Sequence, residues 1–115
     1  MLAADAPAVS ERIDMKQGCK TNPQLAGACT KVRGRLSAYD GNPTFRIWPL
    51  GSKRMLGVVD DRRKLSIPAP IRTKVTSGHD VHAEFLVCPF TASRPEAMQY
   101  VCIEEASHVS IRTRP

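Results

Sequence analysis

Aromatic side chains are scarce in this 115-residue chain, with one Trp, two Tyr and three Phe, few for a protein that holds nucleic acid by stacking its bases. No apolar run approaches the roughly 18 residues that a membrane-crossing helix requires, which excludes a helical span. G-x-S-x-G elbows, phosphate loops and H-E-x-x-H helices are missing, and with them the usual signatures of hydrolysis, nucleotide chemistry and zinc proteolysis. Neither internal repeats nor low-complexity tracts are present. The opening "MLAADAPAVSE" has no positive n-region and no apolar h-region. Its "LAADAP" instead matches the small-residue neighbourhood of a signal-peptidase cut, which implies a leader already removed, a non-native Met1, and a periplasmic or secreted protein.

The chain has the length of one domain, and its composition, 42% hydrophobic and 24% charged, is that of a folded protein. A domain this small gains from covalent staples, and Cys19, Cys29, Cys88 and Cys102 supply them. Structural zinc draws on C-x2-4-C knuckles. Here nine and thirteen residues intervene between successive partners, so no metal site is expected, and no cofactor is implied. In "DVHAEFLVCPF", Val81, Ala83, Phe85 and Val87 alternate with His82, Glu84, Leu86 and Cys88. In "MQYVCIEE", Val101 and Ile103 alternate with Tyr100, Cys102 and Glu104. Both cysteines therefore face away from the core. Antiparallel pairing with Cys88 opposite Cys102 sets Val87 opposite Ile103 and Phe85 opposite Glu105, a register that suits a Cys88–Cys102 disulfide. Three pairings exist, and this geometry favours Cys88–Cys102 with Cys19–Cys29. The second bridge tethers an N-terminal arm, 1–28, to a single domain, 29–115. Two disulfides agree with an oxidising compartment.

The arm has one candidate helical turn in "VSERIDMKQG", between Ser10 and Gly18. From residue 30 the period becomes two: Val32, Gly34, Leu36 and Ala38 alternate with Lys31, Arg33, Arg35, Ser37 and Tyr39, the pattern of a strand with one wet face. "DGNP" turns the chain. "TFRIW" then sets Phe45 and Ile47 against Arg46 and Trp48, and "RMLGVV" follows as a third strand. Residues 60–74, with two prolines and a charge run, read as a long connection. The segment 74–90 reads as a strand pair or one strand broken at Ser77 and Gly78, and "YVCIEEASHVSIRT" as the last strand. Ser93 and Glu96 have capping-box spacing, which predicts a short helical turn there. The expected fold is all-β, a small OB-like barrel of five or six strands with Gly34 at a sharp bend; the alternative is a two-sheet β-sandwich.

The net charge of +6 is unevenly placed. Residues 31–74 hold eleven Lys or Arg against three Asp, whereas residues 75–111 hold one Arg against five carboxylates. "CTKVRGRLSAYDGNPTFRIWPLGSKRMLGV", with the later "AEFLVCPF" and "VCIEEA", resembles a family of small exported bacterial proteins of unknown function over about residues 29–111. The G-R-L-S and R-I-W-x-x-G segments carry most of the likeness, and Asp40 stands where the pattern has Asn. The resemblance implies export and no known activity or catalytic residue. The residues themselves point to a basic contact surface made by Arg33, Arg35, Tyr39, Arg46, Trp48, Lys53 and Arg54. Its expected partner is an anionic envelope component or an acidic protein, since arginine suits carboxylate and phosphate alike. Single-stranded oligonucleotide binding is the alternative. An unrecognised small enzyme ranks third: His79 and His82 diverge on a regular strand, His108 joins either only through the fold, and Glu104 and Glu105 diverge as neighbours.

Overall fold

The computed structural model describes residues 12–14, 19–41, 43–59, 67–76 and 78–114. Within them lie β1 (Arg12–Asp14), a 3-10 turn (Cys19–Thr21), β2 (Thr30–Ala38), β3 (Phe45–Pro49), β4 (Leu56–Val58), the short helix α1 (Ala69–Arg72), β5 (His79–Pro89) and β6 (Gln99–Thr113). Strands β2 to β6 form one mixed sheet that closes in a ring, with β2–β3, β3–β4, β5–β6 and β2–β5 antiparallel and β4–β6 parallel. The chain is thus mostly β, as its period of two implies, and a two-sheet sandwich does not describe it.

The inward residues of the alternating strands make the core. Leu36, Ile47, Val58, Val81, Phe85 and Ile103 are fully buried, and Phe45, Val87, Val101 and Ala106 join them. The described end of the expected connection does more than connect. Ile67, Ile71 and Val75, each four residues from the next, place three side chains in the same core from α1 and its flanks. Gly34 meets β3 closely: a Cβ there would lie 3.1 Å from the Pro49 Cα and closer still to the Trp48 carbonyl oxygen.

Three local expectations are corrected. Arg12–Asp14 is strand, not helix, because β4 covers only the Gln99–Val101 stretch of its β6 edge and β1 pairs with Glu105–Ser107, satisfying backbone groups an open edge would expose; the rest of the expected turn lies outside the described residues. Residues 93–96 form no helix. The Arg94 and Ala97 carbonyls instead accept hydrogen bonds from the Arg54 guanidinium, and Arg94 and Ala97 form a bridge. Finally, Val87 does face Ile103 and Cys88 does face Cys102, but Phe85 faces Ala106, not Glu105. Glu104 bulges out of the ladder there, which keeps a small apolar residue opposite Phe85.

The disulfides join Cys19 to Cys102 and Cys29 to Cys88, not Cys19 to Cys29 and Cys88 to Cys102. The reason is that β5 has two neighbours. Thr30 faces Val87, so Cys29 comes beside Cys88 on the β2 edge, with a Cα–Cα distance of 4.1 Å, while Cys102 faces Cys88 on the β6 edge. Cys88 bonds across to β2, and Cys102 takes Cys19 from the arm. Once formed, the bridges close loops of 83 and 59 residues and so restrict the unfolded chain, worth about 4 kcal/mol each against about 3 for a ten-residue loop. Leu25 and Phe90 pack on the sulfurs, and the arm is held further by the Lys20 N–H donating to the buried Glu104 carboxylate at 2.7 Å.

Gly34→Ala will separate β2 from β3 and lower stability by about 1–3 kcal/mol, measured as the urea midpoint followed by Trp48 fluorescence. A change within about 0.5 kcal/mol would contradict the close approach.

Candidate functional site

The outer face of β2, β3 and β5 is ordered by the ladder. Arg33 lies opposite Glu84 and Arg35 opposite His82, while Arg35 faces Trp48 and Ser37 faces Arg46 on the other edge of β2. The period of two therefore does bring Arg33, Arg35, Tyr39, Arg46 and Trp48 onto neighbouring outward positions.

Most of these side chains are engaged with one another. Asp80, only 3% exposed, accepts from Arg114 Nε at 3.1 Å and Nη2 at 2.8 Å and lies 3.9 Å from Arg35 Nε. Arg114 Nη2 also donates to the Ala38 carbonyl at 2.9 Å. The Tyr39 ring has two guanidiniums near it, Arg46 at 4.9 Å and Arg114 at 5.3 Å. Trp48 donates its indole N–H to the Tyr39 hydroxyl and carries Arg35 at 5.7 Å from its ring. Arg46 Nε donates to the Pro43 carbonyl at 3.0 Å. Arg54 binds Ser93 Oγ at 3.1 Å and the two loop carbonyls already named, tying the β3–β4 connection to the β5–β6 loop. Among the described residues, Arg33 and Lys53 alone of the seven expected site residues are exposed with no side-chain hydrogen bond, ion pair or ring contact.

Arg33 opens into a groove of about 310 Å³ shared with Leu50, His82, Glu84, His108 and Arg112. Leu50 is 70% exposed. His108 has φ 55°, in the stretch where β6 carries an extra residue between Ser107 and Ser110, and bulges of this kind re-aim side chains. The fold thus brings His82 and His108 to one groove, while His79 stands apart beside the Thr76 hydroxyl. Burial pushes the His82 pKa down, Arg112 and Arg35 push it further, and Asp80 opposes them. Glu84 pairs with exposed Lys31 at 3.9 Å. Arg112 forms no ion pair among the described residues. Neither Arg112 nor Arg114 was singled out by sequence; their positions depend on the two bulges of β6, which alternation does not reveal. Arg62, Arg63 and Lys64 lie outside the described residues.

Two other features stand nearby. An apolar cavity of about 390 Å³ lies among Thr30, Val32, Leu56, Val87 and Val101, with Arg54 at its wall. The sulfurs of Cys19, Cys88 and Cys102 lie within 4.8 Å of one another, but each is bonded in a disulfide and none offers a thiolate. No described helix is long and apolar enough to cross a membrane. No protein-family model, curated protein or solved structure matches the chain.

His82 gives the groove a pH signature. Its pKa is lowered in the fold, so the unfolded chain takes up a proton first as pH falls through about 6.5. The stability it contributes is present above that value and declines below it. Urea unfolding at pH 7.5 and 5.5 will show a smaller loss for His82→Gln than for the wild type; equal losses would contradict the lowered pKa.

Proposed function

We propose that this chain is an exported binding module, secreted or periplasmic, built on an OB-type barrel, and that it holds an anionic ligand or an acidic partner on its basic outer face. Two disulfides, at home in an oxidising compartment, support the location. Five strands in a closed ring, a parallel β4–β6 pairing and a helical turn between the third and fourth ring strands support the OB reading. The likeness to small exported proteins of unknown function belongs to the same reading and adds no activity.

The observation that carries the proposal is the pair of guanidiniums, Arg33 and Arg112, that line one groove without an ion-pair partner among the described residues. Planar, doubly donating cations of this kind grip carboxylate and phosphate groups. Arg35, Arg46 and Arg54 serve the surface indirectly, by fixing Trp48, Tyr39 and the β5–β6 loop. The oligonucleotide reading is weaker on this geometry. Stacking needs free ring faces, and the Tyr39 and Trp48 rings already carry Arg46, Arg114 and Arg35. No catalytic role is proposed for His82 or His108, and no cofactor.

The test uses three probes: phosphatidylglycerol vesicles, an acidic glycan and an unrelated single-stranded oligonucleotide, each at low and at high salt. Arg33→Ala/Arg112→Ala is expected to weaken salt-sensitive binding about tenfold or more, a loss of about 1.4 kcal/mol, and Trp48→Ala to change it little. Equal binding by wild type and double variant would overturn the proposal. Selective loss of oligonucleotide binding on Trp48→Ala would favour the second reading instead.

A further inference from the structure

Cys88 has a cysteine on each side. Thr30 faces Val87 across the β2–β5 ladder, which sets Cys29 beside Cys88. Cys102 faces Cys88 across the β5–β6 ladder. Only the first contact is a bond, and Cys102 is bonded to Cys19 instead. The sulfurs of Cys19, Cys88 and Cys102 nevertheless lie within 4.8 Å of one another. Directly opposed strand residues have Cα atoms about 4.5–5.5 Å apart, inside the range that a disulfide spans. A bond between Cys88 and Cys102 therefore requires little backbone movement. The four sulfurs also differ in access. Cys88 and Cys102 are closed to solvent, Cys19 nearly so, and Cys29 is only partly buried, so an incoming thiol reaches Cys29 first.

We propose that the four cysteines form a thiol–disulfide exchange site that moves the Cys88 bond from Cys29 to Cys102 and so frees the Cys19–Cys29 segment, between β1, which stays paired with β6, and β2, with a small thiol or a dithiol as co-reactant. The co-reactant thiolate attacks Cys29 Sγ, forming a mixed disulfide, and the Cys29–Cys88 bond breaks with its electron pair left on Cys88. The Cys88 thiolate attacks Cys102 Sγ; a Cys88–Cys102 bond forms, the Cys19–Cys102 bond breaks, and Cys19 leaves as a thiolate that takes a proton from water. A second co-reactant thiol resolves the mixed disulfide, leaving Cys29 as a thiol. In sum, two co-reactant thiols are oxidised to their disulfide, and the protein exchanges two disulfides for one disulfide and two thiols, at Cys19 and Cys29.

The consequence is selective. The ring keeps a covalent bridge, now between β5 and β6, which already pair from Pro89 and Val101 to His79 and Thr113. Among the described residues, the Cys19–Cys29 segment itself then keeps single hydrogen bonds to the ring, the Lys20 N–H to Glu104 and the Ala26 N–H to the Pro89 carbonyl. Its departure uncovers the apolar patch around Phe90 that Leu25 and the sulfurs now share.

Cys29→Ser tests the exchange without any reductant, because it leaves Cys88, Cys102 and Cys19 to share one bond. Thiols are alkylated in the folded protein, and bridges are mapped by mass spectrometry after trypsin and chymotrypsin digestion. The expected major form has Cys88–Cys102 linked and Cys19 alkylated. Retention of Cys19–Cys102 with Cys88 alkylated would overturn the proposal. Should that variant fail to fold by circular dichroism, the wild type decides: one equivalent of dithiothreitol is expected to label Cys19 and Cys29, whereas labels at Cys29 and Cys88, or only unlabelled and fully labelled protein, would overturn it.

Discussion

Strand β5 is the constraint on which the rest depends. It pairs with β2 on one edge and β6 on the other, and that double pairing closes the ring and leaves neither neighbour with a bare edge along this seam. Its inward residues, Val81, Ala83, Phe85 and Val87, are all core. Its outward residues run through Asp80, His82, Glu84 and Cys88, which are in order the anchor of two arginines, the wall of the groove and the centre of the sulfur cluster. One alternating segment thus sets the packing, the charged surface and the crosslinks together. A shift of one residue in its register would exchange the two sets.

Part of the chain's positive charge is engaged inside the fold. A buried carboxylate is tolerated only when it is paired and hydrogen-bonded, and Asp80 meets that requirement with Arg114 and Arg35. Arg114 comes from just beyond the end of β6, so the anchor ties the last residues of the chain to the seam. The guanidiniums then lie beside Tyr39 and Trp48, converting what looks in sequence like an aromatic and basic contact face into a packed layer. What stays available lies next to it, around Arg33 and Arg112. The surface we propose for binding is therefore displaced from the first two ring strands toward β5 and β6.

Alternation made much of the fold legible. The ring strands, the inward set and the Cys88–Cys102 register follow from a period of two, because one face of each strand must be dry. The bulges at Glu104 and around His108 do not follow, since an inserted residue leaves composition unchanged and shows only when the partner strand is known. The disulfide partners are illegible for a related reason: alternation gives a strand's faces but not its neighbours, the closed sheet gives β5 two of them, and Cys29 reaches Cys88 by the second. The Ile67, Ile71 and Val75 spacing was present in sequence but sat among prolines and charges that signal a loop. Of the site, the shared face of Arg33, Arg35, Arg46 and Trp48 was legible. Which of these cations stay free was not, because that depends on Asp80 and Arg114 meeting across 34 residues of chain.

Isotope-edited NOESY spectra test the double pairing of β5 most directly. The ring predicts cross-strand contacts on both edges at once, Val32 with Phe85 and Val81 with Ile111, together with parallel contacts between Gly57 and Tyr100. Contacts on a single edge of β5, with β2 and β6 in separate sheets, would contradict it.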